Sequence, residues 1–288
     1  MKIKINLFAV TINQVKDLEE CFKIVSEAGY YGIDLMDDAV SRWLQKGHDL
    51  QDLGELPKRY NLPVFHLGFL SEWQTHGGIP LVCRFGETAV RTSADTEEKL
   101  TREMHEFFKH ASALKCEYIL APVTTENEGT VEESAENFRT LCDAAAEYNL
   151  KCGLEFVGFA KKWRTIDLAF EIVEKADHPN GGLLIDTFHF YSGNSKLEDL
   201  RTVPGEKIFV VHVNDVKDLP RKEMRDSDRV LPGEGILPLR ELLSIIIKDK
   251  GYNRPLSLEL FNEEYWKDDP VKIAKAGIES LEKILFRI

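Results

Sequence analysis

Short apolar runs alternate along the chain with longer segments in which apolar residues recur at helical spacing. Ile3 to Val10 is the first run, and Leu18, Cys21, Phe22, Val25 and Ala28 follow three or four residues apart before Gly29 ends the segment. Gly32 to Met36 is the second run, trailed by a polar excursion around Trp43 and His48 and a short helix near Leu53 to Tyr60. The third run is Leu62 to Gly68, and a helix over Glu97 to Leu114 leads into the fourth, Tyr118 to Val123. Thr130 and Glu133 form a capping box opening a helix with Phe138, Leu141, Ala145 and Tyr148 on one face. Later runs cover Cys152 to Val157, Gly182 to Asp186, Ile208 to Asn214 and Pro255 to Phe261, with helices over Ile166 to Ala176 and Val271 to Leu285.

Eight strand–helix pairs of this kind predict an α/β fold with a parallel sheet, closed as a (β/α)8 TIM barrel. No linker or low-complexity segment interrupts the pattern, so residues 1–288 read as one domain. Leu70 to about Thr96 has no clear period, and a loop of that length is expected to be functional.

Four runs share one grammar. In a strand successive side chains alternate faces. Glu155, Asp186, His212 and Glu259 each sit near the end of a strand, on the inward face. The opposite faces carry Leu154 and Phe156, then Phe209, Val211 and Val213, then Leu258 and Leu260, as outer helices require. A barrel of roughly 250 residues allows about 31 per unit. The steps 155 to 186 and 186 to 212 are 31 and 26 residues, and the step of 47 to 259 contains a polar loop, Val216 to Gly235, that absorbs the excess. The four residues are therefore expected on consecutive strands at one barrel mouth.

Three carboxylates and an imidazole in one cavity repel unless a positive group sits among them. The four strands place no Lys or Arg beside the ligand positions, which points to one divalent metal ion, Mn²⁺, Zn²⁺, Mg²⁺ or Co²⁺. His66 on the third strand and Asp34 on the second project inward and are expected to contact a polyol, and Trp73 is placed to stack on a sugar face. His48, His76, His105, His110 and His178 fall on helices or turns and read as structural.

Composition narrows the partners. A net charge of -12 disfavours a phosphate backbone, so nucleic acid is not expected. No run reaches membrane-spanning length, and Met1 to Phe8 lacks the features of a signal peptide, so a cytoplasmic protein is expected. Five scattered cysteines fit reduced thiols. Homo-oligomerisation stays open.

Leu154 to Gly158, Asp186-Thr-Phe-His-Phe190, His212-Val-Asn-Asp215, Asp228 to Gly235 and Ser257 to Phe261 together resemble the xylose-isomerase-like sugar isomerase/epimerase barrels, and within them the bacterial inosose (2-keto-myo-inositol) isomerases. The resemblance is strong from about 151 to 266 and topological before that. It implies metal ligands at Glu155, Asp186, His212 and Glu259, with a second histidine at His189 and an arginine at Arg229 to hold substrate.

It also implies isomerisation of a hydroxy-ketone through an enediolate, with Glu155 and Glu259 as catalytic base and acid. The expected substrate is a neutral keto-polyol or sugar, best 2-keto-myo-inositol, since Glu234 between Gly233 and Gly235 would repel a phosphate. A ketose 3-epimerase with the same centre, a 3-dehydroshikimate-dehydratase-like lyase and a non-catalytic sugar-binding barrel are the alternatives. The segments 37–61, 70–97 and 159–164 match no pattern in the family.

Overall fold

The computed structural model describes residues 3–68 and 97–288. Its strands are β1 (Ile5–Phe8), β2 (Gly32–Met36), β3 (Val64–Gly68), β4 (Tyr118–Pro122), β5 (Lys151–Glu155), β6 (Gly181–Asp186), β7 (Ile208–Val213), the short pair β8 (Asp215–Val216) and β9 (Arg229–Val230), and β10 (Leu256–Leu258). β1 to β7 and β10 close into a parallel barrel in the order β1-β10-β7-β6-β5-β4-β3-β2. The expected eight-stranded fold is met, and His212, Asp186 and Glu155 stand on adjacent strands β7, β6 and β5.

The surrounding helices are α1 (Leu18–Ala28), α2 (Asp37–Gln45), α3 (Leu50–Arg59), α4 (Glu97–Ala113), α5 (Val131–Ala146), α6 (Ile166–Ala176), α7 (Thr187–Ser192), α8 (Leu197–Thr202), α9 (Leu239–Ser244) and α10 (Pro270–Leu285). Gly29 ends α1 at φ 90°, a left-handed conformation that costs glycine little. The Thr130–Glu133 capping box forms as expected. Trp73 and His76, on the Leu70 to Thr96 stretch, lie outside the described residues.

Two local expectations are corrected and one short helix is added. The polar excursion after β2 is helical: α2 starts at Asp37, and Asp49 caps α3 by accepting from the backbone N–H groups of Gln51 and Asp52. α7, six residues directly after β6, was too short and too aromatic to show a period. The loop Val216 to Gly235 contains an antiparallel ribbon in which Asp215 faces Val230 and Val216 faces Arg229.

The outer core lies between strands and helices, where Val211, Val213, Leu258 and Leu260 pack. A second cluster fills the barrel: Phe8, Val10, Met36, Tyr118, Leu120, Leu184, Phe209 and Val210. Phe209, expected outside, is inside. The β6–β7 register passes from Leu183↔Ile208 to Leu184↔Val210, so one extra β7 residue forms a bulge and Phe209 changes face. Gly182 makes room, since a Cβ there would lie 2.7 Å from the Phe209 ring. No helix among the described residues is long and apolar enough to cross a membrane.

Candidate metal centre

Strand alternation brings the four expected ligands together. Glu155 ends β5, Asp186 ends β6, His212 lies on β7, and Glu259 follows β10. One ligand atom from each lies within 4.8 Å of the others, and all four residues are buried. In barrel order Glu155 and Glu259 flank the Asp186–His212 pair.

Asp186 has two jobs. Its Oδ1 accepts from His189 N–H at 2.9 Å, capping α7, while Oδ2 accepts from Asn214 Nδ2 and Arg229 Nη1, each at 2.9 Å. Asn214 is itself fixed, because Thr187 Oγ1 donates to its Oδ1 at 2.8 Å. The acid at a strand end is thus both a helix cap and a site residue.

Arg229 supplies the cation that the barrel strands lack. The β8–β9 ribbon carries it into the mouth, where its guanidinium pairs with Asp186, Glu259 and Asp226 and lies 4.8 Å from the Phe188 ring centre and 5.2 Å from that of Phe261. Asp215 braces the ribbon: Oδ1 accepts from Val216 and Leu237 N–H, and Oδ2 from Gly233 N–H, all at 2.9 Å. The Gly233 and Leu237 N–H groups of the turn are therefore consumed internally. Glu234, exposed and accepting from Tyr265 Oη at 3.2 Å, does not line the cavity, so its expected part in rejecting phosphate is withdrawn.

Burial and charge separate the two glutamates. Burial, and next the Glu259 charge, pushes Glu155 well above the usual carboxylate range. Burial acts the same way on Glu259, but the charges of His212 and Arg229 outweigh it and hold Glu259 well below that range. His212 shows the converse: burial lowers it, yet the nearby carboxylates, Glu259 first, raise it to about 9. Burial lowers His189. Gly158 N–H donates to His189 Nδ1 at 3.2 Å, so a neutral ring carries its proton on Nε2, which lies 3.4 Å from Arg229 Nη2.

The donor set fits a divalent cation. His212 Nδ1 is 3.2 Å from Glu259 Oε2, out of line for a hydrogen bond, and has no hydrogen-bond partner among the described residues. A buried imidazole nitrogen left without a hydrogen-bond partner inside a cluster of three carboxylates is what a metal ligand presents before binding. Against Arg229, the carboxylates of Asp186, Glu259 and Asp226 leave an excess of negative charge that a dication offsets.

A cavity of about 480 Å³ opens above these groups. Glu155, Glu259, His189 and Arg229 line it, as expected, and Phe159, Phe261 and Trp266 give it apolar wall. Asp34 and His66 do not reach it. Both are fully buried beneath the ligands, Asp34 accepting from Ser257, Asn6 and two backbone N–H groups, so the expected polyol contacts are withdrawn. Asn214 and Asp226, which orient Asp186 and Arg229, were missed; only the Asn214-Asp215 pair beside His212 hinted at the first.

Sequence comparison agrees with the geometry. Residues 22–284 match the family described as xylose isomerase-like TIM barrel, and the chain belongs to that family. The particular relatives are narrower. An inosose isomerase of Bacillus velezensis is 33% identical over 283 residues, 93% of this chain and 92% of that one. A crystal structure of the IOLI protein with a bound zinc atom superposes with a TM-score of 0.85 at 25% identity, covering 99% of both chains. A 3-dehydroshikimate dehydratase of Pseudomonas aeruginosa is 33% identical over 149 residues, 51% of this chain but 23% of its own.

Proposed function

We propose that the protein is a divalent-metal-dependent keto-polyol isomerase, with 2-keto-myo-inositol as the best single substrate. The observation that carries this is the cluster Glu155, Asp186, His212 and Glu259 at the floor of a cavity that Glu155 and Glu259 also line. An inosose isomerase that matches over nearly the whole length of both chains supports the substrate.

Those four residues would hold a divalent ion, which would supply Lewis acidity to stabilise negative charge on the substrate's oxygens. Glu155 and Glu259 approach from opposite sides of the ligand pair, so one takes the proton from the hydroxyl-bearing carbon beside the carbonyl and the other returns a proton to the former carbonyl carbon, while the hydroxyl proton passes to the former carbonyl oxygen. The Arg229 guanidinium, with His189 beside it on the cavity wall, donates to the oxygen that gains charge. Phe159, Phe261 and Trp266 cover the substrate's C–H face and exclude water.

The cavity suits an uncharged substrate. Among its described lining residues Arg229 is the one cation, already paired to three carboxylates, whereas Glu155, Asp226, Glu259 and Glu263 are acids. Apart from the proposed metal ion, these described residues offer a carboxylate or phosphate substrate no spare cation, which favours the isomerase over the dehydratase reading. The four described cysteines are free and buried, in keeping with a reduced, cytoplasmic setting.

The test incubates the metal-loaded protein in D2O with inososes, ketohexoses, ketopentoses and their phosphates, followed by NMR. Deuterium beside a shifted carbonyl is expected. Label at an inverted carbon with the carbonyl unmoved makes it an epimerase, and turnover confined to phosphates overturns the substrate class. Absence of any substrate-dependent exchange makes it a binding protein.

A further inference from the structure

Two buried residues that the reaction does not touch sit directly behind a ligand. His66 Nε2 lies 3.0 Å from His212 Nε2, with both rings fully buried. Two imidazole nitrogens at that separation share one proton, because two N–H groups cannot face each other there. The other edge of His212, Nδ1, faces the carboxylates.

His66 is where it is because of an irregularity in the barrel. The β2–β3 register passes from Ile33↔Val64 to Leu35↔Leu67, so two residues, Phe65 and His66, oppose the single Asp34. Such a bulge leaves backbone donors without strand partners. Asp34 fills the gap: its Oδ1 accepts from both Phe65 N–H and His66 N–H at 3.1 Å. Its Oδ2 accepts from Ser257 Oγ at 2.7 Å and Asn6 Nδ2 at 3.2 Å, which ties the bulge to β10 and β1.

We propose that Asp34 and His66 are positioning residues that set the tautomer of His212. Asp34 locks the β3 bulge, the bulge aims His66, and His66 Nε2 accepts the His212 Nε2 proton, leaving the Nδ1 lone pair free toward the carboxylates. Ligating imidazoles commonly donate their far N–H to a second group that fixes ring and tautomer. In this barrel that group is a histidine whose place is set by a carboxylate plugging a bulge. The inference rests on the metal reading above.

Asp34 Oδ2 is also 3.4 Å from His66 Nε2. A proton held on His66 Nε2 by Asp34 would force the His212 proton onto Nδ1 and close that edge to a metal. The two arrangements are therefore exclusive and distinguishable.

The unaltered chain, with 15N-labelled histidine and saturated with Zn2+, decides between them by long-range 15N–1H correlation. Expected are protonated Nε2 on His212 and protonated Nδ1 on His66; a proton on His66 Nε2 overturns the relay. Co2+ affinity of His66→Leu should then fall about 10- to 100-fold. His66→Gln, whose amide oxygen can still accept, should recover part of that loss. Unchanged Co2+ affinity in a folded His66→Leu overturns the relay and leaves the metal reading standing. Failure of the unaltered chain to bind Zn2+ or Co2+ overturns both.

Discussion

Arg229 Nη1 lies 2.9 Å from Asp186 Oδ2, with both side chains almost wholly buried. A guanidinium from a buried two-stranded ribbon thus reaches the same carboxylate that the barrel offers as a candidate ligand. The proposed substrate contact, the orientation of Asp186 and charge balance meet in one pair, and the first prediction follows from it.

Replacing Arg229 with Met should destabilise the metal-free protein by about 3–5 kcal/mol, the usual cost of removing one partner from a buried ion pair. Asp186, Glu259 and Asp226 lose their shared cation. Saturating Zn2+ should restore more stability to this variant than to the parent. Thermal melts with and without metal check it, and equal shifts in both proteins would contradict the charge argument.

Asp186→Asn should abolish high-affinity binding of one divalent ion per chain while the barrel stays folded. The amide oxygen can still cap α7 at His189 N, while the amide nitrogen would face Asn214 Nδ2 and Arg229 Nη1, so the anionic ligand and its ion pair with Arg229 are lost together and the cap is kept. Elemental analysis and calorimetric titration read the stoichiometry, and circular dichroism the fold.

Glu155→Gln and Glu259→Gln should each lower turnover roughly 10²- to 10⁴-fold, the range for a positioned acid or base. Rates are to be compared only in variants shown to be metal-replete. Near-normal turnover in either would move the proton transfer elsewhere.

Metal affinity should rise with pH from 6 to 9. In the metal-free protein His212 is raised to about 9, its burial being outweighed by Glu259, so below that pH an ion must displace a proton. The stability linkage has the opposite sign. A histidine raised on folding stabilises fully below its unfolded value near 6.5 and loses that contribution as pH climbs through 9. Zn2+ titrations and metal-free melts across this window should therefore trend in opposite directions.

Gly277→Ala should destabilise the barrel by about 1–3 kcal/mol, the range for overpacking a tight core. A Cβ on α10 would come within 2.4 Å of Leu258 Cδ2 and 2.7 Å of Tyr30 Oη. Tyr30 Oη donates to Ala274 O, so the helix cannot shift without breaking that bond. Urea unfolding measures the change, and a neutral result would show that α10 is free to move.

The barrel and the ligand quartet were legible because alternation and unit length are local, periodic signals. Glu155 and Asp186 each close an apolar run, and their strands pair in chain order. Arg229 and Asn214 act across 43 and 28 residues on a partner that no period links. The bulges at Phe209 and at Phe65-His66 escaped for a related reason. A one-residue slip in register follows from packing against Gly182 and Asp34, which composition along a single strand does not encode. Asp34 and His66 looked like substrate contacts because inward polarity carries no depth.

The ribbon that Asp215 braces also sets how accurately the mouth is built. Asp215 and Arg229 are 14 residues apart in the chain, yet Arg229 sits opposite Val216, the residue beside the brace. The lever arm from the barrel wall to the guanidinium is therefore two residues long, and positional error does not accumulate around the intervening tip. Doubling such a tip costs only about 0.6 kcal/mol in closure entropy. Residues 217–223 can thus drift in length and sequence while Arg229 keeps its aim, which makes the tip a place where related chains can diversify their outer rim without retuning the charge at its centre.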